Sequence, residues 1–175
     1  MANELKQAFN NVEIEGILLE KEFEISEVDL DFNDKSKGKC KQIRGHVKIE
    51  TAAHSQHQVN AQSKDKKKDG TENSLFTGLT TVNNEYKSVA DLLKTVNPET
   101  NELYTQEEAY QNADRITITN ASIDINEYPT PAGEWKSYQG VKSNFLGRTK
   151  DMTQFNPRAT FKIQGLMRGI KDEID

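Results

Sequence analysis

One change of hydrophobic period divides this chain. Leu75, Leu79, Val82, Tyr86, Val89, Ala90 and Leu93 recur at three- and four-residue steps, the stripe of an amphipathic helix running from about Asn73 to Lys94. Asn73 or Ser74 supplies its N-cap, and Asn97-Pro98-Glu99-Thr100-Asn101 stops it. On both sides of this stretch, apolar residues alternate with polar ones, the period of half-buried strands.

Before the helix, Val12, Ile14 and Gly16 alternate, Ile17-Leu18-Leu19 interrupts, and Phe23 and Ile25 resume. That pattern predicts one long, bent strand with a bulge or kink at Gly16. A turn at 33–39 leads to a second strand with Ile43, Gly45, Val47 and Ile49 on one face. A third runs from His54 to Gln62 with Val59 and Ala61 inward, and the loop Lys64 to Gly70 is too polar to pack. After the helix, Thr105 with Glu108 three residues on marks a capping box and a shorter helix. Alternation returns at Ile116, Ile118, Ala121, Ile123 and Ile125, bulging at Asn120-Ala121. Tyr128 to Gly133 makes a hairpin loop, with a return strand from Trp135 to about Arg148. Ala159, Phe161 and Ile163, then Leu166-Met167, write a last strand pair.

Three strands, a helix, then a hairpin predict a mainly β fold with one main helix: an OB-fold-like five-stranded barrel, the helix between strands 3 and 4, with extra C-terminal strands. Residues 1–150 form that domain. Residues 151–175 are either a strand extension or the start of a second module. Val12 to Leu18 and Phe161 to Met167 share one apolar-polar pattern around a glycine, which motivates both readings.

The net charge of −5 conceals strong segregation. Residues 1–34 carry −8, residues 35–68 carry +8, residues 69–134 carry −9 and residues 135–175 carry +4. Charges beyond about 8 Å are screened at physiological salt, so a basic patch meets a polyanion as a basic patch whatever the total. The acidic blocks are expected on the back of the molecule.

Several classes of function fall away. No run of about 18 apolar residues is present to span a membrane. The start, MANELKQAFN, lacks the pattern of a secretory signal. A single cysteine, Cys40, forms no internal disulfide, and the cytoplasm of a bacterial or phage-infected cell is the expected compartment. There is no phosphate-binding glycine loop, nucleophile elbow or zinc-binding cysteine pair. His54 and His57 fall on opposite faces of a strand. No catalytic residue, metal ligand or cofactor is expected, and the chain reads as a non-enzyme.

What remains is a binding surface. Sequence-tolerant nucleic-acid binding needs cations that track phosphates and flat rings on which bases stack. The second strand and its flanking loop offer Lys35, Lys37, Lys39, Lys41, Arg44 and Lys48. The next loop adds Lys64, Lys66, Lys67 and Lys68, and the late hairpin adds Trp135, Lys136, Tyr138, Lys142 and Arg148 beside Tyr128. In an OB barrel these elements flank one cleft.

The residues also carry a family resemblance. The helix Glu85 to Leu93, the segment Ala113 to Ile123, and Tyr128, Gly133 and Trp135 after it resemble single-stranded DNA-binding proteins of bacterial and phage type, over residues 11–148. The second and third strands lack that family's stacking aromatics and present Arg44, His46, Lys48, His54, Gln56 and Gln58 instead. The end, Lys171 to Asp175, lacks its Pro-Phe terminus. The Asn/Lys/Ile-rich style is similar to phage or mobile-element proteins. The resemblance implies single-stranded DNA (or RNA) as partner, in replication or recombination, with homo-oligomers or replication and recombination proteins as further partners. The alternative expectation is a phage protein-interaction module that assembles with or inhibits a host complex, suited by the acidic blocks to a basic partner.

Overall fold

The computed structural model describes residues 10–131, 133–149 and 151–163. It is mainly β, with strands β1 (Asn10–Asp29), β2 (Lys39–Ala52), β3 (Ser55–Lys64), β4 (Arg115–Pro129), β5 (Trp135–Lys142), β6 (Gly147–Arg148) and β7 (Arg158–Ile163). Helices α1 (Ser74–Glu85), α2 (Val89–Leu92) and α3 (Gln106–Asn112) lie between β3 and β4. Neighbours run β6-β4-β5-β3-β2-β1-β7, and a further β4–β1 pairing closes β1, β2, β3, β5 and β4 into a ring. Every pairing is antiparallel except β3 with β5.

The ring fills with the alternating residues read from the sequence. Val12, Ile14, Leu18, Ile43, Val47, Ile49, Val59, Ala61, Ile116, Ile118 and Ala121 are buried in one cluster, joined by Leu79 and Val82 of α1. Phe76 and Tyr86 pack against it. Burying such a side chain fully is worth about 1.5–3 kcal/mol, so this one cluster supplies most of the drive to close the ring.

Two features of β1 differ from expectation. Its register shifts lie between Leu18 and Glu20 against β2 and between Val12 and Ile14 against β4, rather than at Gly16. Gly16 answers another need, since an added β-carbon would sit 2.8 Å from Ile49 Cγ2 and 2.9 Å from the Glu50 carbonyl carbon. The residue keeps room for β2. The bulge expected at Asn120-Ala121 is present, since Val12 to Ile14 spans fewer residues than Ala121 to Ile118 opposite.

The helical stripe does not form one helix. Asn73 caps α1 as expected, its side chain accepting from Leu75 N. The chain then leaves the helix at Tyr86 and restarts at Ser88, where Ser88 and Asp91 form a reciprocal capping box. The apolar stripe runs through this break because α2 also buries Val89 and Leu92, against Ala109 and Ala113 in a second cluster. Thr105 and Glu108 form the expected capping box at α3. The expected return strand is also interrupted. Ser143 Oγ donates to the Phe145 carbonyl and accepts from Phe145 N, a turn that separates β5 from β6.

The last strand lies along β1, with Asn10 opposite Ile163 and Glu15 opposite Arg158. The buried Glu15 carboxylate meets Arg158 Nη1 at 3.1 Å. Of residues 151–175, read as a strand extension or the start of a second module, Leu166-Met167 and the rest of 164–175 lie outside the described residues.

His57 gives a pH test of the β2–β3 hairpin. The hairpin turns at Ala53-His54, so β3 begins one residue later than expected, and His54 sits in the left-handed region at φ 66°. His57 stands opposite Ile49, its Nε2 3.0 Å from Thr51 Oγ1. Burial pushes its pKa below the usual histidine value. Below about pH 6.5 the unfolded chain therefore binds a proton that the folded chain resists, and stability drops as pH falls through that window. Chemical denaturation of wild type and His57→Gln across this window should show a shallower decline in the variant. Parallel curves would exclude the effect.

Candidate nucleic-acid interface

The site is built on the outer face of β2, β3, β5 and β4. Because side chains alternate across a strand, the core residues of β2 leave Arg44, His46 and Lys48 pointing outward. Their β3 neighbours are Gln62, Asn60 and Gln58. Parallel pairing puts Asn60 beside Lys142 of β5, and Lys142 stands opposite Ser122 of β4. The β4–β5 hairpin continues past the ring as an arm, on which Asp124, Tyr128, Tyr138 and Lys142 share this outer face.

These residues line a groove of about 660 Å³, walled by Arg44 and His46 on one side and by Tyr128 and Tyr138 on the other. Both tyrosines are about half exposed, at 51% and 48%, so their rings are open to a ligand. Gln62 also lines the adjoining depression, where Lys66, Lys67 and Lys68 stand. One continuous path therefore links the aromatic arm to the lysine loop. Loop 30–38 borders its end, because Lys64 Nζ donates to the carbonyls of Asp29 at 2.6 Å and Leu30 at 3.0 Å.

The predicted cations fall into two groups. Among the described residues, Lys35, Lys41, Arg44, Lys66, Lys67, Lys68 and Lys136 form no ion pair. Lys136 lies on the groove side of the arm, across from Tyr128. The rest are engaged. Lys37 pairs with Asp31 at 3.1 Å, Lys39 with Glu27 at 3.0 Å, and Lys48 with Glu20. These carboxylates hold the Lys39 and Lys48 ammonium groups above the usual lysine range. Lys142 lies 3.8 Å from Asp124. Lys64 serves the chain's own carbonyls. Arg148 is outside the groove, bonded to Asp114 at 2.9 Å and stacked 4.3 Å over the Tyr86 ring, where it braces the break between α1 and α2.

Acid and base are thus not on opposite sides. In the β1–β2 pair, Glu20, Glu22 and Glu24 stand directly opposite Lys48, His46 and Arg44. The acidic first block lies against the basic second one, as a ladder along the groove's edge.

Trp135 is neither core nor groove. It opens β5 opposite Pro129, on the face of the arm shared with Ile125 and away from Tyr138, and is 74% exposed. Two aromatics that sequence reasoning passed over lie nearer the path. Phe32 is 85% exposed beside Lys39 and Gln42. Phe145 stands beside Lys142 and Asn144, in a depression that shares Asp124 with the groove. A phenylalanine between Asp31 and Asn33, in a segment made of turn residues, is the signal that marks the first.

Cys40 is buried, and burial raises its thiol above the ordinary value despite Lys64 and Lys66 nearby. Among the described residues, no cluster of three His, Cys, Asp or Glu side chains is placed to hold a metal. No helix among them is long and apolar enough to cross a membrane. A family model described as YorF matches residues 8–175. No curated protein and no solved structure matches the chain.

Proposed function

The chain belongs to the YorF family, and from the groove on its sheet we propose that it is a non-enzymatic single-stranded DNA-binding protein that acts in replication or recombination. The observation that carries the reading is the groove. It sets two open tyrosine rings across from Arg44 and His46 and continues to three unpaired lysines, the combination of stacking platform and phosphate track that single strands require. The order β1-β2-β3-β5-β4 around the ring, with the helices between β3 and β4, supports an OB-fold barrel whose binding face is this one.

Fluorescence anisotropy with a labelled single-stranded oligonucleotide of mixed sequence tests the reading directly. Binding should be strong at low salt and weaken steeply as salt rises. Tyr138→Ala should weaken it by about five- to a hundredfold, the worth of one stacked base. Trp135→Ala should leave affinity within about twofold of wild type, and tryptophan emission should change little on binding. The twofold bound sits well below the stacking effect it is compared with. No binding at low salt would overturn the proposal. Strong quenching of Trp135 would move the stacking surface to the back of the arm.

A second reading rests on a different surface. Val96 and Leu103 bridge each other on the loop between α2 and α3, are both more than half exposed, and bracket Glu99 and Glu102 in the chain. An apolar pair in acidic surroundings suits a basic protein partner. Retention of a host protein after nuclease treatment, lost in a Val96→Ser/Leu103→Ser variant, is the result that favours it.

A further inference from the structure

One acid stands among the cations and amides that line the groove. Asp124 projects from β4 opposite Gly140 of β5, with its Oδ2 3.8 Å from Lys142 Nζ. Both side chains are around two-fifths exposed, an arrangement in which an ion pair contributes little and opens readily. Gly140, opposite Asp124, makes room for the groups that cover it. A β-carbon there would lie 2.9 Å from the Tyr138 ring and 3.1 Å from Asn60 Nδ2. The ring and the amide thus stand over Gly140, across the strand pair from the Asp124 carboxylate, and all three line the groove.

A carboxylate in this position repels phosphate, so a strand lying in the groove turns its bases, not its backbone, toward Asp124. An ionised carboxylate only accepts hydrogen bonds. It accepts well from the exocyclic amino group of cytosine or adenine, and Asn60 offers an amide donor to the ring nitrogen next to that amino group. Thymine and uracil present a carbonyl oxygen where the amino group would be, and two negative oxygens then face each other. Resting on the single-strand reading above, we propose that Asp124 is a specificity residue that makes the groove prefer cytosine and adenine over thymine and uracil.

The test compares oligo-dC and oligo-dT of equal length, at neutral pH and low salt, by anisotropy with wild type, Asp124→Asn and Asp124→Ala. Wild type should bind oligo-dC at least about fivefold more tightly than oligo-dT, the low end of what one base-edge contact discriminates. In Asp124→Asn the preference should vanish or reverse, because an amide both donates to and accepts from the thymine edge. In Asp124→Ala it should fall to near unity. Equal wild-type affinities overturn the proposal. So does an equal gain for both oligonucleotides in the variants with their ratio unchanged, since Asp124 would then act as a charge alone. Failure of wild type to bind either oligonucleotide overturns the single-strand reading itself, and this inference with it.

Discussion

Replacing Arg44, Lys66, Lys67 and Lys68 together with Glu is expected to cost more than about two orders of magnitude in affinity for single strands near 50 mM salt. The same change should flatten the salt dependence. Four phosphate contacts release about three counterions from a single strand, so wild-type affinity should fall about fiftyfold between roughly 50 and 200 mM salt. The variant should lose nearly all of that slope. The informative control is a triple variant, Lys37→Gln, Lys39→Gln and Lys48→Gln, which removes three cations from the same basic segment. Each of those already faces a carboxylate, Asp31, Glu27 or Glu20. Their removal should change affinity by less than about threefold, because a neutralised lysine releases few counterions. Equal losses in both variants would mean that charge total, rather than groove geometry, governs binding.

The second large effect concerns the fold. Gly45 lies directly opposite Phe23 in the antiparallel β1–β2 pair, and an added β-carbon would fall on the Glu22 carbonyl oxygen and 2.7 Å from the Phe23 Cα. Backbone on the receiving side has nowhere to yield. Gly45→Ala should therefore cost about 3 kcal/mol, the upper range for overpacking, and lower the melting temperature by about 6–12 °C in a chain of this size. Gly78→Ala is the matched comparison. Gly78 sits inside α1 with nothing within 4 Å of an added β-carbon, so alanine there should stabilise by about 0.8–1 kcal/mol. Thermal denaturation by circular dichroism reads both. If the two variants shift in the same direction, the close approach of β1 and β2 is refuted.

Much of the fold was legible because it is written in local chemistry. The alternation of Ile43, Val47 and Ile49 specifies which face of β2 is inside, and a serine or threonine three residues before an acid specifies where a helix starts. The same Ser-x-x-Asp signal was present at Ser88, but the apolar stripe running through it hid the break. A hydrophobic pattern reports which side is buried and is silent about a change of direction that keeps the same side buried. The turn at Ser143 was hidden in a similar way, since a hydroxyl bonding its own neighbour leaves no trace in the period.

The site was legible as a list of cations and illegible as an arrangement. Whether Lys39 or Lys41 is available depends on which of them reaches Glu27: Lys41 stands directly across from it, yet Lys39 takes the pair from the diagonal position, and cross-strand register is set by the whole ring rather than by neighbours in sequence. Trp135 carries the ring that a stacking platform needs, yet its odd or even place along the arm decides its side. Tyr138, three residues later, took the groove.

The ladder of Glu20, Glu22 and Glu24 against Lys48, His46 and Arg44 has a consequence for the shape of any bound strand. Beyond β2 the surface turns from attractive to neutral and then to acidic within the spacing of one strand, about 4.8 Å. A nucleic acid that slides sideways toward β1 leaves its counter-charges behind and meets carboxylates. The ladder acts as a kerb. On the single-strand reading proposed above, it leaves motion along the groove open and closes motion across it, so the lane would take one strand and offer no seat to a duplex about four times as wide as that spacing.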